Sequence, residues 1–227
     1  MRRLLLLCST ILLILLPLAL ALGCESPVEV TPEQAQEAEQ YNEQGITLVE
    51  DGEYEQAISE FNKAIELNPN LAEAYNNRGV AHNELAEFDN AIDDYDQAIK
   101  LNSEFAEAYN NRGLAHANKV EFNKAITDYN KAIKLKPMYI EAYNNRGVAY
   151  TNEAKFDEAI ADYDRAISMN PMYAEAYGNR GFAYIYKGDK YKAISDLEKC
   201  ILLTEDYSVS SWAQHILDGL NNDAEKL

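Results

Sequence analysis

The sequence predicts an all-α solenoid of five 34-residue helix-turn-helix units followed by a C-terminal capping helix. Three observations carry that expectation. The segment Ala72-Glu73-Ala74-Tyr75-Asn76-Asn77-Arg78-Gly79 returns almost unchanged at Ala106–Gly113, Ile140–Gly147 and Ala174–Gly181, each time 34 residues further on. A degenerate copy stands in the same register at Ala38–Gly45. Apolar and small residues recur at helical spacing in both halves of a copy, as with Tyr75, Gly79 and His82, then Phe88, Ala91, Ile92, Tyr95, Ala98 and Ile99. Asn68-Pro69, Lys136-Pro137 and Asn170-Pro171 close the second helix in three copies, because proline drives the residue before it out of helical dihedrals. Helices of about a dozen residues are marginal alone. Each unit must therefore bury its apolar face against its neighbours.

At the start of the chain, Met1-Arg2-Arg3 precedes an uncharged, leucine-dominated run of 19 residues, Leu4–Leu22, closed by Gly23-Cys24. A basic start, an apolar run and a small residue before the cut mark an export signal over 1–23. Gly23-Cys24 resembles the lipobox of bacterial lipoproteins, which implies cleavage after Gly23, lipidation of Cys24 and an anchor on the extracytoplasmic side of a membrane. A run of this length also suffices to span a bilayer, so a retained N-terminal transmembrane helix is one alternative and plain secretion another. Residues 24–32 form a short leash. Thr31, Pro32 and Gln34 are placed as helix cap, first-turn proline and capping-box partner. The repeat domain follows over 33–220, with units at about 38–71, 72–105, 106–139, 140–173 and 174–207. A capping helix around Ser210–Leu220 carries Trp212, Ile216 and Leu217, and 221–227 reads as a frayed tail.

These columns resemble the tetratricopeptide repeat family. Tyr41, Tyr75, Tyr109, Tyr143 and Tyr177 stand at its first aromatic; Gly45, Gly79, Gly113, Gly147 and Gly181 at its glycine. Ala57, Ala91, Ala125, Ala159 and Ala193 match its alanine, and Phe61, Tyr95, Tyr129 and Tyr163 its second aromatic, where Leu197 departs in the last copy. The resemblance implies a right-handed superhelix that binds partners on the concave surface of the first helices.

One departure recurs. Where the family usually has leucine, this chain has Arg78, Arg112, Arg146 and Arg180, and sixteen residues after each comes Asp94, Asp128, Asp162 or Asp196. The first copy has Gln44 and Glu60 instead. The regular offset predicts an ion pair between the two helices of each unit, with a row of anion-binding arginines as the rival reading.

The candidate binding surface is a row of asparagines: Asn76 and Asn77, Asn110 and Asn111, Asn144 and Asn145, then Asn179. Each amide carries both donor and acceptor, so such a row pairs with the backbone of an extended peptide whatever its side chains. Some members of the family carry such a ladder, and Asn77, Asn111, Asn145 and Asn179 occupy its column. The other reading is polar surface copied by duplication. Glu73, Glu107, Glu141 and Glu175 one turn earlier make the groove acidic, which disfavours carboxylate ligands and favours a neutral or basic segment. Leu71, Phe105, Tyr139 and Tyr173 read as staples onto their own helices.

Charge and cysteine content narrow the rest. The net charge is −18, which excludes nucleic acid as a partner and polybasic attachment to anionic lipid. Of three cysteines, Cys8 lies in the signal, Cys24 would carry lipid, and Cys200 falls in the column of Ala64, Ala98, Ala132 and Ala166 as a small core residue. His82 and His116 share a column with Leu48, Tyr150 and Tyr184 and read as packing residues. No catalytic set, phosphate loop or metal-ligand spacing appears, so neither enzymatic activity nor a cofactor is expected. The sequence therefore points to a membrane-tethered module binding a protein or extended peptide, with a self-associating scaffold or spacer as the alternative.

Overall fold

The computed structural model describes residues 29–224, and among them it contains eleven helices and no strand. The expected signal segment, Cys24 and residues 225–227 lie outside the described residues. Helices α1 (Pro32–Glu50) and α2 (Tyr54–Leu67) form the first unit. The pairs α3 (Ala72–Glu84) and α4 (Phe88–Leu101), α5 (Ala106–Asn118) and α6 (Phe122–Leu135), α7 (Ile140–Asn152) and α8 (Phe156–Met169), and α9 (Ala174–Tyr186) and α10 (Lys190–Leu203) form the next four. Helix α11 (Tyr207–Ala224) closes the stack. It starts before Ser210 and continues past Leu220, so residues 221–224 are helical rather than a frayed tail. Thr31 caps α1 in a full capping box with Gln34, with Pro32 in the first turn.

Each helix ends where the backbone must leave the helical region. Asn68, Lys136 and Asn170, each before a proline, sit at φ −134°, −128° and −134°. The turn inside each unit is tighter. In the second unit the Glu87 N–H donates to the His82 carbonyl and the Ala86 N–H to that of Asn83, which closes the helix with one residue in the left-handed region. Gly52 and Gly188 fill that position at φ +78° and +77°, but Ala86, Val120 and Ala154 fill it at +59°, +62° and +55°. These side chains pay a steric cost that glycine avoids.

Packing inside a unit rests on one small residue facing one large ring. A Cβ added at Gly45, Gly79, Gly113 or Gly147 would stand 2.5–2.7 Å from Phe61, Tyr95, Tyr129 or Tyr163. The glycine thus lets the first helix close over an almost fully buried ring, and the fully buried alanines of the second helix admit the next unit. At Gly181 the nearest side-chain atom is Leu197 Cγ at 3.2 Å, the looser fit of a smaller residue. The first helices touch one another along the stack, α1 to α3, α3 to α5, α5 to α7 and α7 to α9, whereas each second helix packs on the first helices beside it. The face of first helices is therefore the inner, concave one.

Candidate functional site: the concave groove

The arginine and aspartate columns meet as the spacing predicts. Arg78, Arg112, Arg146 and Arg180 each donate through Nε and Nη2 to both oxygens of Asp94, Asp128, Asp162 and Asp196; for Arg146 the distances are 2.7 and 2.6 Å. The third nitrogen, Nη1, reaches back to the preceding unit, to Asn62, Asp96, Asn130 and Asp164 respectively. Each guanidinium also lies 5.5 Å from the ring of Tyr75, Tyr109, Tyr143 or Tyr177. With every face engaged, these arginines fasten one repeat to the next and are not a row of anion receptors. Among the described residues Gln44 has no such partner, and Glu60 pairs with Lys63 instead.

The asparagine pairs divide. Asn76, Asn110 and Asn144 are buried, 6–7% exposed, and so offer the groove little surface, unlike what the sequence suggests. Adjacent residues on a helix point about 100° apart, so only one of each pair can face outward. Asn77, Asn111, Asn145 and Asn179 are half-buried at the groove floor. Their amide nitrogens donate to the preceding unit: Asn77 to Asn42 at 3.0 Å, Asn111 to Asn76 at 3.1 Å, Asn145 to Asn110 at 3.2 Å and Asn179 to Asn144 at 3.0 Å. Asn76 and Asn110 donate in turn to Asn77 and Asn111. The ladder column thus spends one donor of each amide on a neighbour and leaves the other N–H without a partner among the described residues.

Above this floor runs a stripe that the sequence reading missed. Ile46, Val80, Leu114, Val148 and Phe182 follow each glycine, three residues beyond the ladder asparagine, and Ile46 and Leu114 are each 37% exposed. Helical i, i+3 spacing from Asn77 marks the column. Glu73, Glu141 and Glu175 stand exposed on the rim. Glu107 is held below the usual carboxylate range by its bond to Lys136 at 2.7 Å. Tyr139 packs with Ala106, Ala132 and Ala142, bridging two units as well as stapling its own helix.

The C-terminal end of the groove differs from the rest. Gly178 replaces the buried asparagine, and a Cβ there would meet Trp212 at 2.9 Å and Cys200 Sγ at 3.0 Å, so glycine lets α11 close on α9. Phe156 and Tyr186 stack at 5.3 Å, Phe182 meets Tyr186 edge-on at 5.0 Å, and Trp212 lies 6.2 Å from Phe182. These rings border a cleft of about 470 Å³. A second cleft, of about 330 Å³, shares Trp212 and Asn179 with the first and is bordered as well by Asn144, Glu175, Ser208 and Val209. Cys200 is fully buried beneath, and burial pushes its thiol up.

His82 and His116 do more than pack. Their Nδ1 atoms meet Glu87 and Glu121 at 2.6 and 2.7 Å, while Nε2 faces Asp94 and Asp128 at 3.9 and 4.0 Å. Each therefore ties the turn of its unit to the arginine-aspartate pair. Among the described residues no group of three or more His, Cys, Asp or Glu is arranged to hold a metal ion. No helix there is long and apolar enough to cross a membrane.

Family models of the tetratricopeptide repeat match residues 45–85 and 121–152, 72–105 and 140–173, and 174–207. The chain belongs to the tetratricopeptide repeat proteins. No curated protein matches it. Among solved structures it is similar to YrrB, described as a TPR protein with an unusual peptide-binding site, at 26% identity and a TM-score of 0.61, over 81% of this chain and 95% of that one. It is also similar to MamA, at 28% identity and a TM-score of 0.63, over 73% and 91%. PilF of Pseudomonas aeruginosa shares the fold at 18% identity and a TM-score of 0.74, over 85% and 88%. A tetratricopeptide stack of this kind is a protein-interaction module, and the fold is in general a non-catalytic scaffold.

Proposed function

We propose that the protein is a non-catalytic module, tethered to a membrane through lipid on Cys24, that holds an extended, neutral or basic segment of a partner protein in its concave groove. One observation carries the reading: a half-exposed apolar stripe from Ile46 to Phe182 runs beside a row of amides with spare donors and a rim of glutamates. Apolar side chains of the segment would lie on the stripe, its backbone carbonyls would accept from the ladder amides, and its cations would meet the rim. The peptide-binding site of YrrB, on a similar stack, supports the same use here.

A photo-crosslinking residue placed at Leu114 in the groove, and in a separate variant at Lys134 on the outer helix α6, tests this in native membranes. Adducts formed from Leu114 alone, and displaced by a soluble basic peptide, are expected; equal adducts from both sites overturn the reading. Adducts only to a second copy of the chain would favour a self-associating scaffold. Mass spectrometry of the mature N-terminus checks the tether: a lipidated Cys24 is expected, and an intact Met1 refutes it.

A further inference from the structure

The geometry points to the pair of clefts around Trp212 as a subsite for an arginine side chain of the bound segment, its guanidinium lying on the indole and facing Glu175. This deepens the groove reading and rests on it. Three independent features converge there. The first is aromatic exposure. Phe182 and Tyr186 stand where the fourth unit has Val148 and Asn152, and Tyr186 is 60% and Trp212 40% exposed although both belong to a packed ring cluster. Asparagine suffices at the Tyr186 position in the neighbouring unit, so that ring adds surface, while Phe182 packs between it and Trp212. A flat, half-exposed aromatic surface is the receptor that a planar cation prefers.

The second is charge. Glu175 borders the smaller cleft beside Trp212 and has no ion-pair partner among the described residues. Lys187 and Lys190 lie at the far end of α9 from Glu175 and are engaged there, with Asp157 and with the Leu220 carbonyl. Among the described residues no cation is paired with this carboxylate, and the chain as a whole carries −18. The third is room. The cleft of about 330 Å³ suits one long side chain, and the adjoining cleft of about 470 Å³, which shares Trp212, suits an apolar neighbour along the same extended segment. The row of aromatic faces takes the apolar stem while Glu175 takes the two outer N–H groups of the fork.

Trp212 is the chain's single tryptophan, so its fluorescence reports this site alone. The full chain, solubilised in a non-ionic detergent, is titrated with three capped pentapeptides of glycine and serine that differ only at the central residue: arginine, lysine or citrulline. A saturable change in Trp212 emission with arginine is expected, weaker with lysine, and at least about tenfold weaker with citrulline, which keeps the shape without the charge. Glu175→Gln, an exposed position, is expected to weaken the arginine peptide about tenfold while leaving melting unchanged; Tyr186→Ala, equally exposed, weakens it less. Citrulline binding as well as arginine, no saturable response to any peptide, or an unaltered affinity in Glu175→Gln would each overturn the subsite. If groove crosslinking from Leu114 succeeds while these titrations fail, the arginine subsite falls and the groove reading stands. Loss of groove crosslinking with the titrations intact would overturn the groove reading instead.

Discussion

Removing a single arginine tests how the repeats are fastened. Arg146 bonds Asp162 through two nitrogens and Asn130 of the preceding unit through a third, and the side chains of the pair are 17% and 8% exposed. Arg146→Met keeps the stem and deletes the charge, leaving a buried carboxylate without its partner. Breaking a buried pair costs about 3–5 kcal/mol; the partial exposure of Arg146 and the solvent around Asn130 place this case near the lower end, about 3 kcal/mol. For a helical domain of this size that corresponds to a drop in Tm of about 9 °C. Burial already pushes Asp162 above the usual carboxylate range with the guanidinium present. In the variant that cost is unopposed. It applies above the unfolded pKa of about 4 and vanishes as Asp162 takes up a proton, so the variant's deficit should shrink on acidification from pH 7 to 4. The double variant Arg146→Met/Asp162→Leu removes both charges and should recover to within about 1 kcal/mol of the parent. Thermal melts followed by circular dichroism read all three. A double variant as unstable as the single one, or a deficit that grows at low pH, would refute the reasoning.

Val120 holds φ +62° at a turn where its side chain is 70% exposed, so Val120→Gly should raise stability by about 1–2 kcal/mol, and a lower Tm would show the turn unstrained. Tyr95, Tyr129 and Tyr163 are 1% exposed, and burial raises their phenols far above the ordinary value. Stability is therefore complete below pH 10 and falls above it by about 1.4 kcal/mol per pH unit for each ring. Tyr139 and Tyr173, also pushed up by burial, to about 12, add to the loss, so melts at pH 8, 10 and 11 should show it and Tyr129→Phe should reduce its slope by about a fifth. Asn110 accepts from Asn145 and donates to Asn111 while 6% exposed, so Asn110→Ala should cost about 1–3 kcal/mol by orphaning buried amides. Hydrogen exchange that accelerates in α5 and α7 together would locate the loss at that junction.

Much of this was legible because a period fixes many positions at once. The 34-residue return, the prolines and the Thr31 capping box place helix ends from local chemistry alone. The sixteen-residue offset from Arg146 to Asp162 foretold their bond, because every copy repeats it. The backward reach of Arg146 to Asn130 was hidden, since that column alternates between asparagine and aspartate and so looks like variable surface. The turn strain was hidden too: Gly52 and Gly188 advertise a left-handed residue, but Ala86, Val120 and Ala154 carry no such sign. The asparagine pairs misled for a geometric reason. Sequence repetition treats Asn76 and Asn77 alike, whereas neighbours on a helix point to different surroundings, and burial and the direction of the bonds between units tell them apart.

The direction of the arginine latch explains why the C-terminal end of the groove is unlike the rest. Each arginine of one unit reaches back to the second helix of the unit before it, so every unit is held by its successor. The acceptor column Asn62, Asp96, Asn130 and Asp164 continues to Glu198, which is exposed, and among the described residues no arginine reaches it. Helix α11 supplies no arginine for that latch and holds the fifth unit by apolar packing through Ala213, Ile216 and the edge of Trp212, with the Leu220 carbonyl accepting from Lys190. A large ring at that junction needs space, which Gly178 yields by breaking the asparagine column. Tyr186 has no comparable duty, because asparagine suffices at the equivalent position one unit earlier. Packing alone thus accounts for glycine and tryptophan at the end of the stack, but it does not account for Tyr186, which stands 60% exposed beside them.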